Sequence, residues 1–135
     1  MTVTSQHTAS SHYADLHSDP SKVVGQTSSS ANTIHGQFDR RALAAGDAVA
    51  VRHDDETVTY TALRESSNRL AHHLITLGVT PGTPVGVCLP RGSQLVAAYL
   101  GVLKAGGLIV PMEPELPSER LDWMVQHASA PVVLT

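Results

Sequence analysis

The sequence predicts an α/β fold with strand–helix alternation and a mostly parallel sheet, preceded by a disordered leader. Three observations carry this. From residue 84 onward the order reads strand, helix, strand, helix, strand, with short loops and apolar strands, an order that pairs strands in parallel through crossover helices. Within it, Leu95–Pro117 is a helix apolar almost all round, then Gly106-Gly107, then a short apolar strand. Such a helix must be covered on every side, and the strand Leu108–Val110 suits cover on both faces. Residues 1–33, in contrast, are dominated by Ser, Thr, His and Gln with no apolar period, and cannot offset their ordering entropy by burial. The chain divides into a 1–33 leader and a 34–135 domain.

Bulk properties remove several classes. The 135 residues are 41% hydrophobic with a net charge of −3, far from the basic footprint of a nucleic-acid binder. A single cysteine, Cys88, excludes an internal disulfide framework and a cysteine-based zinc site. No apolar segment opens the chain as a secretory signal would. The longest apolar window, Leu95–Met112, is interrupted by Lys104, two glycines and Pro111, so it does not span a bilayer. A cytoplasmic location is expected.

The elements follow in order. Ile34, Phe38, Ala42 and Leu43 at helical spacing give a helix over 34–45, ended by Ala45-Gly46-Asp47. Residues 48–51 and 57–60 make a hairpin around the polar turn 54–56. Thr59 is placed to cap a helix over 60–77, whose buried stripe is Leu63, Leu70, Leu74 and Leu77, widened by Ala71 and Ile75. Arg64, Asn68, His72 and His73 fall off that stripe. Gly78 closes the helix, and Thr80-Pro81-Gly82-Thr83 turns the chain. Strand 84–89 follows, with Cys88 inert in it, and Ser93 can cap the helix 94–105. After strand 108–110, Pro117 and Glu119 suit the first turn of a helix over 117–128, whose stripe is Leu121, Met124, Val125 and Ala128. Residues 132–135 form a last apolar strand with an unprotected edge, which marks the front part of a larger α/β domain.

Candidate chemistry is sparse. The chain has no Gly-x-Gly-x-x-Gly, Walker-type, Gly-x-Ser-x-Gly or His-Glu-x-x-His motif. Lys104, flanked by Gly101 and Gly106, sits near a helix C-terminus, where the dipole explains a cation. A catalytic lysine there would need a charge partner that the local sequence does not offer. Glu113 and Glu115 could pair for acid/base work, but two apart in a proline-rich loop they read as solvated. His7, His12 and His17, with Asp15 and Asp19, share no helical or strand face, and His72-His73 diverge by about 100°, so neither group reads as a metal site. No catalytic, cofactor-binding or metal-binding residue is assigned.

Taken together, several blocks resemble one family. Val58–Leu63, Asn68–Ala71, Leu77–Gly82 and Val85–Leu89 look like the start of an adenylate-forming enzyme. Leu103–Pro114, reading Leu-Lys-Ala-Gly-Gly-Leu-Ile-Val-Pro-Met-Glu-Pro, resembles the lysine-alanine-glycine motif of nonribosomal peptide synthetase adenylation domains. Pro117–Leu121 and Ala130–Thr135 continue the match. Ala62 stands where the family has a glutamate, Gly107-Leu108 where it has Ala-Tyr, and Glu113 where it has aspartate.

The resemblance implies the N-terminal part of a domain that activates an amino acid with ATP and Mg²⁺ and passes it to a phosphopantetheine carrier protein. The alternatives are a fragment of an acyl-CoA or aryl-acid ligase, and a non-catalytic α/β interaction module. The family's phosphate loop, acid-binding aspartate, ribose-binding aspartate and C-terminal lysine have no matching positions. Thr27–Ser30 is in the wrong place for the phosphate loop. The resemblance therefore implies a chain inactive alone, whose partners are the remainder of the adenylation domain and the carrier, without nucleic acid or membrane.

Overall fold

The computed structural model describes residues 2–5 and 32–135. Among the described residues, six strands and four helices run in the order β1 (Val3–Ser5), α1 (Ile34–Ala44), β2 (Val49–His53), β3 (Glu56–Thr59), α2 (Tyr60–Thr76), β4 (Pro84–Val87), α3 (Ser93–Lys104), β5 (Leu108–Pro111), α4 (Ser118–His127) and β6 (Val132–Leu134). β4 pairs in parallel with β5 on one side and β6 on the other, as the strand–helix alternation requires. β2 and β3 form a separate antiparallel hairpin, with Asp54 at a positive φ in its two-residue turn.

The sheet order is β1-β6-β4-β5, so the chain leaves β4 for β5 and then crosses to the far side of β4. Its two helices serve opposite faces. Val85 and Val87 of β4 and Val132 and Leu134 of β6 pack on Ala98 and Val102 of α3 and on Ala71 and Leu74 of α2. The alternate residues, Cys88 and Val133, pack with Met112 on Val125 of α4. A third cluster joins Leu63 of α2 and Ala97 and Leu100 of α3 to Phe38 of α1 and to the hairpin's Ala50, Val51 and Val58.

Local chemistry sets the ends. Thr59 Oγ1 accepts from the Ala62 amide at 3.3 Å, as expected of a cap, and Thr33 does the same for α1 through Gly36 at 3.1 Å. α3 closes through Gly106 at φ +83°, with the Gly107 amide on the Val102 carbonyl and the Gly106 amide on the Leu103 carbonyl. Those are the two bonds of a Schellman cap, and they turn the chain straight into β5. Gly101 serves a close approach: a Cβ there would lie 2.8 Å from Leu70 Cδ2, so α2 and α3 touch where Gly101 has no side chain.

Several expectations change. β5 is the sheet edge and Leu108 is exposed, so this strand is not covered on both faces; β4 is the strand whose last three residues are all buried. Strand β4 stops at Val87, level with the last paired residues of its neighbours, Pro111 and Leu134, and the Cys88 amide on Leu134 O is its final rung. Gly92, not Ser93, is the N-cap of α3. In α2, Ile75 and Leu77 are exposed, whereas Ser67 and Asn68 are wholly buried on the Leu63–Ala71–Leu74 face. In α1, Ile34 and Leu43 are exposed and Asp39 is buried beside Ala42.

The edge of β6 is not open. Val3–Ser5, expected in the leader, pair antiparallel with it. The leader's histidines and the Thr27–Ser30 run lie outside the described residues.

Candidate functional site

Two places gather polar groups: a cleft at the carboxyl ends of the parallel strands, and a buried cluster between helices α1, α2 and α3.

The cleft has a volume of about 700 Å³. The segments leaving β4 and β5 part there, one toward α3 and one toward α4, which is the crevice where open parallel sheets bind ligands. Leu89 and Met112 are its buried residues, Leu95 and Tyr99 of α3 line it, and Arg91, Glu113 and Glu115 stand exposed around it. His53, at the end of β2, completes the rim. The hairpin is tied to α3 nearby: Ser93 Oγ lies 2.9 Å from both carboxylate oxygens of Glu56. This replaces the expected capping role of Ser93. It also sets a carboxylate at the N-terminus of α3, where the helix dipole favours negative charge. Glu113 and Glu115 are exposed, as their loop position suggested.

The buried cluster centres on Lys104, whose side chain is 0% exposed. Its ammonium has three protons and three oxygen partners: Asp39 Oδ1 at 2.7 Å, Asn68 Oδ1 at 2.7 Å and Ser67 Oγ at 3.0 Å. The ring of Phe38 lies 5.3 Å away, on a face that attracts cations. Arg64 adds a second positive charge, with Nε 3.9 Å from Asp39 Oδ1. Burial pushes the lysine's pKa down, and the Asp39 hydrogen bond and charge oppose that shift. His35, on the first turn of α1, is also held low, by burial first, with Asp39 raising it and Lys104 lowering it.

The dipole reading of Lys104 therefore misses its main contacts. The carboxylate partner comes from 65 residues upstream, so no local window could reveal it. Two signals are nonetheless present in the sequence. A lysine on a helix apolar all round demands a partner, because lysine is almost never fully buried unpaired. Ser67 and Asn68 lie one turn after Leu63 and one before Ala71, inside the buried face rather than beside it.

The remaining side chains stay apart. His72 is half-buried rather than solvent-facing, and His73 is exposed. Cys88 is half-buried and burial pushes its thiol up, away from reactivity. Among the described residues, no group of three or more His, Cys, Asp or Glu side chains could hold a metal ion, and no helix is long and apolar enough to cross a membrane.

Comparison with known proteins adds the following. The family described as AMP-binding enzyme matches residues 38–135. The phosphinothricin tripeptide synthetase PhsC of Streptomyces viridochromogenes is 43% identical over 103 residues, which is 76% of this chain and 10% of that protein. The N-terminal subdomain of Klebsiella oxytoca NpsA, solved with 3-hydroxyanthranilyl-AMSN, superposes with a TM-score of 0.66 at 26% identity, covering 72% of this chain and 25% of that one. An artificially fused adenylation–PCP di-domain, NpsA-ThdA from the same organism, gives a TM-score of 0.66 at 26% identity over 71% of this chain and 18% of that one. The chain thus spans a small fraction of the proteins it matches.

Proposed function

This chain belongs to the family of AMP-binding enzymes, and from that premise we propose that it forms the N-terminal scaffold of an adenylation domain activating an amino acid for nonribosomal peptide synthesis. One observation carries the reading: 43% identity to a tripeptide synthetase across 103 residues, 76% of this chain. In the complete domain the amino-acid carboxylate attacks the α-phosphorus of ATP. The acyl-adenylate forms, pyrophosphate leaves, and a carrier-protein thiol then takes the acyl group. The NpsA-ThdA fusion, which joins adenylation and PCP domains, supports a carrier as partner. A cytoplasmic setting is supported by the unpaired thiol of Cys88.

The described residues of this chain do not fit ATP and Mg²⁺ by themselves. No acidic or histidine cluster among the described residues suits the metal. The N-terminus of α3, beside the cleft, faces the Glu56 carboxylate, which repels a polyphosphate. The proposed role of residues 34–135 is to build the sheet and present its carboxyl ends; the remainder of the domain supplies the nucleotide contacts.

A second reading, activation of an aryl acid, draws on the NpsA complex with an anthranilate-type ligand. ATP–pyrophosphate exchange on the adenylation domain containing residues 34–135 separates the two. Exchange driven by an amino acid supports the first. Exchange driven only by aryl or fatty acids overturns it.

A further inference from the structure

We infer that α1 is a charge-locked strap: its docking on the α2–α3 pair is governed by the buried Lys104–Asp39 pair rather than by apolar packing, and it can open while the sheet core stays folded.

The apolar account of α1 is thin. Of its large apolar side chains, Ile34 is 73% and Leu43 69% exposed, and Phe38 is only half-buried. The one buried apolar residue is Ala42, a single methyl group. A helix held by so little apolar area would fray, because isolated helices of 11 residues are marginal in water. Its other buried residue is Asp39.

Asp39 is the only carboxylate among the described residues within 4.0 Å of Lys104 Nζ. The two other oxygens around the ammonium, from Ser67 and Asn68, are neutral and belong to α2. If α1 leaves, Lys104 keeps two neutral acceptors, loses its counter-charge and the Phe38 ring, and remains beside Arg64. While α1 is docked, removing either partner leaves the other charge buried and unpaired, which is expensive, so the docked helix depends on the ion pair. The sheet side of α3 does not share this dependence. Ala98 and Val102 pack on Val85, Val87 and Leu134, all at 0–1% exposure on the strand side.

The lock therefore couples a single ionised contact to one element. It holds the start of α2 as well, since Arg41 of α1 lies over Tyr60, 5.9 Å from the ring centre, and Phe38 meets the same ring at 5.7 Å.

Hydrogen exchange by mass spectrometry on the full 135-residue chain tests this. In Lys104→Met, which takes the ammonium from Asp39, amides of residues 34–45 are expected to lose protection at least tenfold, while those of β4 and β6 stay within about twofold. Asp39→Asn leaves α3 untouched and is expected to give the same selective loss, so the test holds even if the lysine variant fails to fold. The double variant Asp39→Leu/Lys104→Met removes both charges and is expected to restore much of the α1 protection. Unchanged α1 protection in Asp39→Asn, or an equal loss in every element, overturns the proposal. So does a double variant no better protected than Lys104→Met alone.

Discussion

The two sides of α3 are held by opposite means. Toward the sheet, Ala98 and Val102 meet valines and leucines with almost no exposed surface. Toward α1 and α2, Lys104 meets a carboxylate, an amide and a hydroxyl, each from a different residue. Apolar packing is non-directional, so the sheet side depends on total volume and tolerates exchange among similar residues. The polar side is directional, and every partner matters, because a buried polar group left unmatched costs the full penalty of its desolvation. One helix thus carries a forgiving face and an exacting one.

Large truncations on the forgiving face set the upper end of the comparison. Leu74→Ala, at a fully buried position of α2 against that core, should cost about 2–5 kcal/mol in urea unfolding through the transfer and cavity terms. Leu74→Met should cost under about 1.5 kcal/mol. Equal losses in the two variants would remove the claim of tolerance.

The helix contact comes next. Gly101→Val places a Cβ within 3 Å of Leu70 Cδ2 and Cγ. Overpacking of this kind should destabilise by about 1–3 kcal/mol. Adding Leu70→Ala should recover part of that loss, a coupling that a double-mutant cycle measures directly. Additive losses would show that the steric reading is wrong.

On the exacting face, Ser67→Ala removes one neutral acceptor from the Lys104 ammonium. The expected cost is about 1–3 kcal/mol, despite the loss of a single oxygen atom. A change near zero would place Ser67 among the volume-tolerant residues.

A smaller effect is expected with pH. Burial holds the pKa of His35 below its ordinary value. Between that lowered value and the ordinary one, near 6.5, the unfolded chain binds the proton more readily. Stability should therefore fall as pH drops from about 7 through this window, and the penalty is complete below the folded-state pKa. His35→Gln should flatten that part of the thermal-melt pH profile. An unaltered slope would assign it to other groups. Least of all, Ala62→Glu should add a few tenths of a kcal/mol by completing the capping box opened by Thr59.

Most of the forgiving half is legible in the sequence, because its signals are periodic and local. The strand–helix alternation from residue 84, the glycine closure at Gly106 and the α4 stripe through Val125 all depend on residues a few positions apart. The exacting half is hidden because its partners are distant: Asp39 and Lys104 meet from helices far apart in the chain. A stripe traced through leucines excludes polar residues by construction, which puts Asn68 on the wrong face. Edge and central strands share one apolar composition, so β5 reads as doubly covered, and only the crossing from β5 to β6 decides which strand lies outside. Val3–Ser5 give no signal, since a strand of three residues has too little pattern to stand out from a polar segment.

Pyrophosphate exchange by the isolated chain bears most directly on the scaffold assignment. With ATP, Mg²⁺ and a full set of amino acids, the 135 residues alone should give exchange no higher than an enzyme-free blank, and the intact adenylation domain carrying the same residues should give amino-acid-dependent exchange. Clear exchange by the isolated chain would contradict the account, because it would place nucleotide-binding groups within residues assigned to scaffold alone.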